Sequence, residues 1–340
     1  MEASKYLTVT RLSIYTGAVV LSSGLAIAPA VSVAQATGTG MLEEVTVTAR
    51  KKEESLSDVP IAISAVSGDF IQESNISDIL GLADEVPNLS FGETFNSSDR
   101  FAIRGVSTNG SNIGFEQAVG FNVDGYYFGR SRFGQTMFLD LERVEVLKGP
   151  QNTLIGKNNT AGAVNITTRK PGDEFGGYVA TSYDFEAGEG FAVEGAVDLP
   201  LGDNVRSRIA ARIEDKDGYM EHGLTGSDVS GARDNFTIRG IVEWDVTERV
   251  DATLLYQYGE IDRGARPREA GGNCNVTHPI DDCSYNNVKY EAAFWAGENR
   301  EDDFVTETDY SMVGLTFNWQ LNDNWTLSSL TNFTSYEGND

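Results

Sequence analysis

The sequence predicts a mainly β protein: an N-terminal α+β unit followed by antiparallel strands of membrane-spanning length, about seven of them, in a barrel left incomplete. Three observations predict it. From residue 176 onward, segments of about ten residues or more alternate apolar and polar side chains. Their connections alternate between short and long. The region before them instead mixes short strands, short helical segments and Gly- and Asn-rich loops.

The 340 residues carry 26 Lys and Arg against 51 Asp and Glu, a formal charge of −25. The length allows two domains, and the charge argues against a nucleic-acid partner because a phosphate backbone would be repelled. At the N-terminus, Lys5 and Arg11 precede an apolar run from Leu12 to Ala28 that Ser13, Thr16, Gly17, Ser22, Ser23 and Gly24 interrupt. Such a run is too polar and short for a comfortable spanning helix but suits a signal-peptide core. Ser32-Val33-Ala34 and Ala34-Gln35-Ala36 each offer a small-x-small cleavage pattern, so residues 1–36 are read as a signal peptide, with a lone membrane anchor as the alternative. No other stretch approaches about 18 apolar residues, so any membrane-spanning part of the mature chain must be built from strands.

Residues 37–57 read as a linker. Within it, Glu44-Val45-Thr46-Val47-Thr48-Ala49 is a short β-favouring segment, followed at once by charged Arg50 to Glu54. It has no neighbour in sequence to pair with. It is expected either as an edge strand or as a peptide that adds to a partner's sheet.

Residues 58–172 form the α+β unit. Val59 to Val66 reads as a strand, Ser67-Gly68-Asp69 as a turn and helix cap leading into Phe70-Ile71-Gln72, and Asp78 to Ala83 as the start of a short helix that Pro87 ends. Further strands are expected at Arg100 to Val106, Ala118 to Val123, Val144 to Leu147 and Gly162 to Thr168. Two polar loops, Glu93 to Asp99 and Ser107 to Gln117, lie between them.

Residues 173–340 carry the long strands, near 177–187, 190–200, 204–215, 233–246, 249–262, 306–320 and 324–337. Phe236, Ile238, Gly240, Val242 and Trp244 share one face; Asn235, Thr237, Arg239 and Glu243 share the other, with Ile241 an apolar exception. Likewise Val205, Ile209, Ala211 and Ile213 oppose Arg206, Arg208, Arg212 and Glu214. Short turns on one side, long loops on the other, and Trp244, Trp319 and Trp325 beside the short turns match outer-membrane barrels. A soluble β-sandwich would have strands about half as long.

The two cysteines, Cys274 and Cys283, flank a short Asn-, Asp- and Pro-rich segment that a disulfide could close. A metal site there, with His278, Asp281 and Asp282, lacks the tighter paired spacing such sites use; unpaired thiols are the remaining alternative. Gly149…Gly156-Lys157 is not a phosphate loop: six residues separate the glycines where four are needed, and Asn158 stands where Ser or Thr should be. No nucleophile elbow, zinc-protease helix or dinucleotide fingerprint occurs, so no enzyme and no cofactor are expected.

Glu44 to Ala49, Val59 to Ile63, Phe101-Ala102-Ile103-Arg104-Gly105, Val123-Asp124-Gly125, Leu141 to Gln151 and Leu154 to Pro171 stand in family order and spacing, and the chain closely resembles TonB-dependent receptors over nearly all its length. The resemblance implies a plug (58–172) seated inside an outer-membrane barrel of about 22 strands. It also implies high-affinity nutrient import in the Gram-negative outer membrane, most commonly of a ferric siderophore, with vitamins and glycans as alternatives. Outer-membrane lipid surrounds such a barrel. Residues 44–49 would be the box that pairs with the inner-membrane TonB complex. Substrate contacts would come from three apical loops: Phe95 and Asn96, Asn112 and Phe115, and Tyr126, Tyr127 and Arg130. Aromatic faces suit planar chelates or sugar rings and Arg suits an anion, although these aromatics could equally pack against the barrel. Arg104 and Lys148 would pair with acidic residues on later barrel strands, or else be solvated surface charges. Seven strands cannot close a plugged barrel, so the chain reads as a fragment or a truncated product. Thr37 to Leu42 leave no room for a signalling domain before the box. A secreted β-rich carbohydrate-binding or hydrolytic protein leaves the box unexplained, and a passive porin leaves the plug unexplained.

Overall fold

The computed structural model describes residues 46–47, 54–55, 59–93, 99–108, 116–129, 137–185, 189–218, 220–221, 228–230, 232–264 and 305–339. In chain order, β1 (Thr46–Val47) and β2 (Glu54–Ser55) form a two-stranded sheet. Then come β3 (Ile63–Ser67), α1 (Gly68–Glu73), α2 (Ile79–Glu85), β4 (Leu89–Glu93), β5 (Asp99–Ile103), β6 (Val106–Ser107), β7 (Val119–Val123), β8 (Tyr126–Phe128), β9 (Leu141–Lys148), α3 (Asn152–Ile155) and β10 (Gly162–Thr168). β3, β9, β10, β7 and β8 make a five-stranded sheet in that order, in which β10 and β7 run parallel and the other pairs antiparallel. β4, β5 and β6 form a separate small sheet, in which the tilted rings of Phe91 and Phe101 lie 5.1 Å apart, and Phe101 meets Phe121 of the larger sheet at 6.4 Å.

The local signals for these elements are visible in the chain. Ser67 caps α1 by accepting from the Phe70 amide at 3.3 Å. Asp78 caps α2 by accepting from the Gly81 amide at 3.0 Å. The expected strand from Arg100 to Val106 is broken. Arg104 and Gly105 take positive φ, 54° and 76°, and turn the chain back so that Ile103 faces Val106. β4, β8 and α3 were not expected; each is five residues or fewer, too short to show a period.

The remaining strands are β11 (Gly176–Asp184), β12 (Gly190–Gly202), β13 (Val205–Lys216), β14 (Met220–Glu221), β15 (Asp228–Ser230), β16 (Arg233–Thr247), β17 (Val250–Gly264), β18 (Val305–Asn322) and β19 (Trp325–Asn339). Except for the β14–β15 hairpin, they form one antiparallel sheet in sequence order, and each begins and ends within a few residues of its expected span. Two-residue turns join β12 to β13, β16 to β17 and β18 to β19, all at one end. Among the described residues no helix is long and apolar enough to cross a membrane. The strands carry the apolar exterior: Ile209, Ile213, Leu254, Val313, Leu315 and Phe333 lie open on the outer face. Trp244, Trp319 and Trp325, at 50%, 45% and 69% exposed, stand beside the short turns as an interfacial girdle would.

The core sits between the α+β unit and the inner face of the sheet. Val119, Phe121, Val144, Val146, Val164 and Ile166 of the five-stranded sheet share one buried cluster with Ile241, Leu255, Ile261, Tyr310 and Met312 of the long strands. Ile241 therefore breaks the polar pattern of its face because it packs on the unit inside. Burying a side chain of this size contributes about 1.5–3 kcal/mol.

Candidate functional site

The segment read as a coupling box does have a partner close in sequence. Thr46 pairs with Ser55 and Val47 with Glu54, antiparallel. This corrects the expectation that no neighbour in sequence could pair with it. The ladder occupies one edge of Thr46–Val47. Glu44, Val45, Thr48 and Ala49 lie outside the described residues.

Of the expected substrate contacts, Phe95, Asn96, Asn112, Phe115 and Arg130 also lie outside the described residues, as do Cys274 and Cys283. Tyr126 and Tyr127 are described, on the β7–β8 hairpin. Its turn, Asp124-Gly125, has φ of 48° and 83°, the left-handed pair that a tight hairpin favours. Tyr126 is 3% exposed, its hydroxyl is 2.8 Å from the Thr316 hydroxyl, and its ring covers Gly314, where a Cβ would come within 2.7 Å. Tyr126 is thus a wall-packing residue. Burial raises the pKa of its phenol. Tyr127 is half-buried, and its phenol oxygen accepts from Asn158 Nδ2 at 2.6 Å. Next to Asn158, Lys157 pairs with Glu116 at 2.6 Å. That hydrogen bond raises the Lys157 pKa and lowers that of Glu116. Glu116 lies within Ser107 to Gln117, one of the loops expected to bind substrate. The sequence reading missed Glu116, Lys157 and Asn158; the Asn-rich turn was their one visible signal.

Arg104 and Lys148 come together. The Arg104 guanidinium lies against Gly149, 3.8 Å from where a Cβ would stand, and Lys148 Nζ donates to Ser64 Oγ at 2.7 Å. Burial first, and the nearby Arg104 charge second, lower the Lys148 pKa. Among the described residues neither cation forms an ion pair.

The ion pairs between the two parts have the opposite polarity. Asp140, just before β9, is gripped by Arg208 of β13 through Nε at 2.6 Å and Nη2 at 2.7 Å. The Tyr178 hydroxyl donates to it at 3.2 Å, and its own amide donates to Glu194 at 3.3 Å. Arg239 of β16, fully buried, donates to the Leu139 carbonyl at 2.6 Å and to Gln257 Oε1 at 2.8 Å. Asp78 pairs with Arg233 at 3.0 Å. Here the inner unit supplies the acids and the wall supplies the arginines. The strand pattern had shown only that Arg208 and Arg239 lie on the face opposite the apolar one.

A profile of the TonB-dependent receptor plug domain matches residues 55–163, the part of the chain that packs inside this wall. Residues 55–163 are thus a TonB-dependent receptor plug domain. A ferrioxamine B receptor of Salmonella typhimurium is 26% identical over 190 residues, 55% of this chain and 24% of that receptor. A vitamin B12 transporter of Vibrio vulnificus is 26% identical over 273 residues, 74% of this chain and 43% of the transporter. The chain thus spans about a quarter of the length of the first curated relatives it matches. The crystal structure of the Pseudomonas aeruginosa ferripyoverdine receptor shares the fold, with a TM-score of 0.62 at 20% identity over 86% of this chain and 37% of that one. TonB-dependent receptors are receptors and transporters of the Gram-negative outer membrane, not enzymes.

Proposed function

We propose that this chain is the plug and first wall strands of a receptor that imports a ferric siderophore, using energy delivered by TonB. The supporting observation is the plug core packed on the inner face of the long strands. Matches to receptors named for ferrioxamine B and ferripyoverdine favour an iron chelate; the match to a vitamin B12 transporter keeps cobalamin as the second reading.

In this reading residues 1–36 are the signal peptide, 37–57 the linker carrying the box 44–49, 58–172 the plug and 173–340 the start of the barrel in outer-membrane lipid. Ligand binds the outer loops through Phe95, Asn96, Asn112, Phe115, Tyr127 and Arg130. Tyr127, Asn158, Lys157 and Glu116 form a polar base beside two of these loops. The box leaves its short ladder with Glu54–Ser55 and adds to the sheet of TonB, since backbone pairing suits a β-prone strand. Arg104 and Lys148 take acidic partners on the remaining wall; burial that disfavours the Lys148 charge supports a missing carboxylate. Cys274 and Cys283 close a disulfide in an extracellular loop.

The test is titration of the purified receptor with a panel of ferric siderophores, cobalamin and oligosaccharides. Tight binding of one ferric chelate is the expected result. Binding of cobalamin or a glycan alone would replace the substrate assignment.

A further inference from the structure

Between α1 and the inner faces of β11 and β12 lies a cavity of about 220 Å³, lined by apolar and polar side chains in nearly equal measure, the polar ones including Gln72, Asn75, Arg169, Thr181, Glu194 and Arg212. Space of that size with that many polar partners holds water. Asp140 is part of the same lining. It sits in the left-handed region, with φ of 48°, which is uncommon for a non-glycine residue but which Asp adopts more readily than most. Arg208 holds both carboxylate oxygens, and one residue earlier Arg239 holds the Leu139 carbonyl. Two buried arginines on neighbouring wall strands thus pin the stretch Met137–Asp140. That stretch leads directly into β9.

We propose that Asp140 is the latch between plug and wall, and that it releases Arg208 when the plug opens a passage beginning at the adjoining cavity. The charges around the pair suit a joint that parts. Separating a buried ion pair is costly when it strands either charge. Arg208 also donates to Asp198 at 2.6 Å, within the wall, and Asp140 has Arg169 at 3.9 Å, on the plug side. Each partner keeps an opposite charge after separation, and the cavity supplies water to the newly exposed groups.

This rests on the transport reading above, so its test uses neither substrate nor energy coupling. The receptor is expressed in cells lacking TonB, and entry of a large glycopeptide antibiotic that an intact outer membrane excludes is measured. Asp140→Asn, which keeps the shape and removes the charge, is expected to raise entry about tenfold, the scale of losing one charged hydrogen bond. Asp78→Asn, which weakens the Asp78–Arg233 pair outside the cavity lining, is expected to leave entry unchanged. Wild-type entry for Asp140→Asn, or an equal rise for Asp78→Asn, overturns the proposal. If Asp140→Asn does not reach the outer membrane, Tyr178→Phe replaces it, losing only the hydroxyl bonds to Asp140 and Glu194. Raised entry then supports the latch and wild-type entry overturns it. Failure of the transport reading would show separately, as no TonB-dependent uptake by the wild type.

Discussion

Tyr126 and Tyr127 are adjacent in the chain, yet strand alternation sends them to opposite faces of β8 and gives them different work. Tyr126 fills the gap over Gly314 and bonds Thr316. Tyr126→Ala should therefore cost about 3–5 kcal/mol, the usual loss for a buried aromatic, and Tyr126→Phe about 1 kcal/mol for the hydrogen bond. Tyr127→Ala should instead weaken ligand affinity and leave the thermal midpoint nearly unchanged. Thermal unfolding and ligand titration of the same three variants check this; the reverse assignment of effects would remove Tyr127 from the site. Residue chemistry alone did not separate the two tyrosines, because both follow the same turn glycine and only the strand pairing fixes which one meets the wall.

At the scale of elements, β16 shows what sequence pattern can and cannot deliver. Its alternation gave the strand's span and the outward face of Phe236, Ile238, Val242 and Trp244, because apolar surroundings on one side and polar groups on the other impose a period of two. Ile241 violated that period, and the local pattern held no reason for it. The reason is tertiary: Ile241 is 5% exposed against the plug core. Ile241→Ala should cost about 2–5 kcal/mol through the cavity it leaves, while outward Ile238→Ala should cost much less because lipid fills its space. Equal losses in denaturant unfolding would mean that the plug does not pack there. The same limit hid the turn at Arg104. A two-residue hairpin needs only two positive φ angles, and an arginine before a glycine reads as easily as a strand residue.

At the scale of the whole molecule, plug and wall were legible as separate layers, and their joint was not. Strand periodicity showed that Arg208, Arg212 and Arg239 lie on the face opposite the apolar one, but not that Asp140 and the Leu139 carbonyl would meet Arg208 and Arg239, because no local pattern encodes a contact across 68 or 100 residues. The proposed function makes one physical claim: the plug opens only when work is done on residues 44–49. Radio-labelled iron accumulation from the bound ferric siderophore, by cells whose sole receptor is this one, tests it directly. The account predicts uptake that stops with Val45→Pro, with Val47→Pro and with a protonophore, while binding at the cell surface persists, since proline removes the amide that strand addition requires. Undiminished accumulation by both proline variants would contradict it.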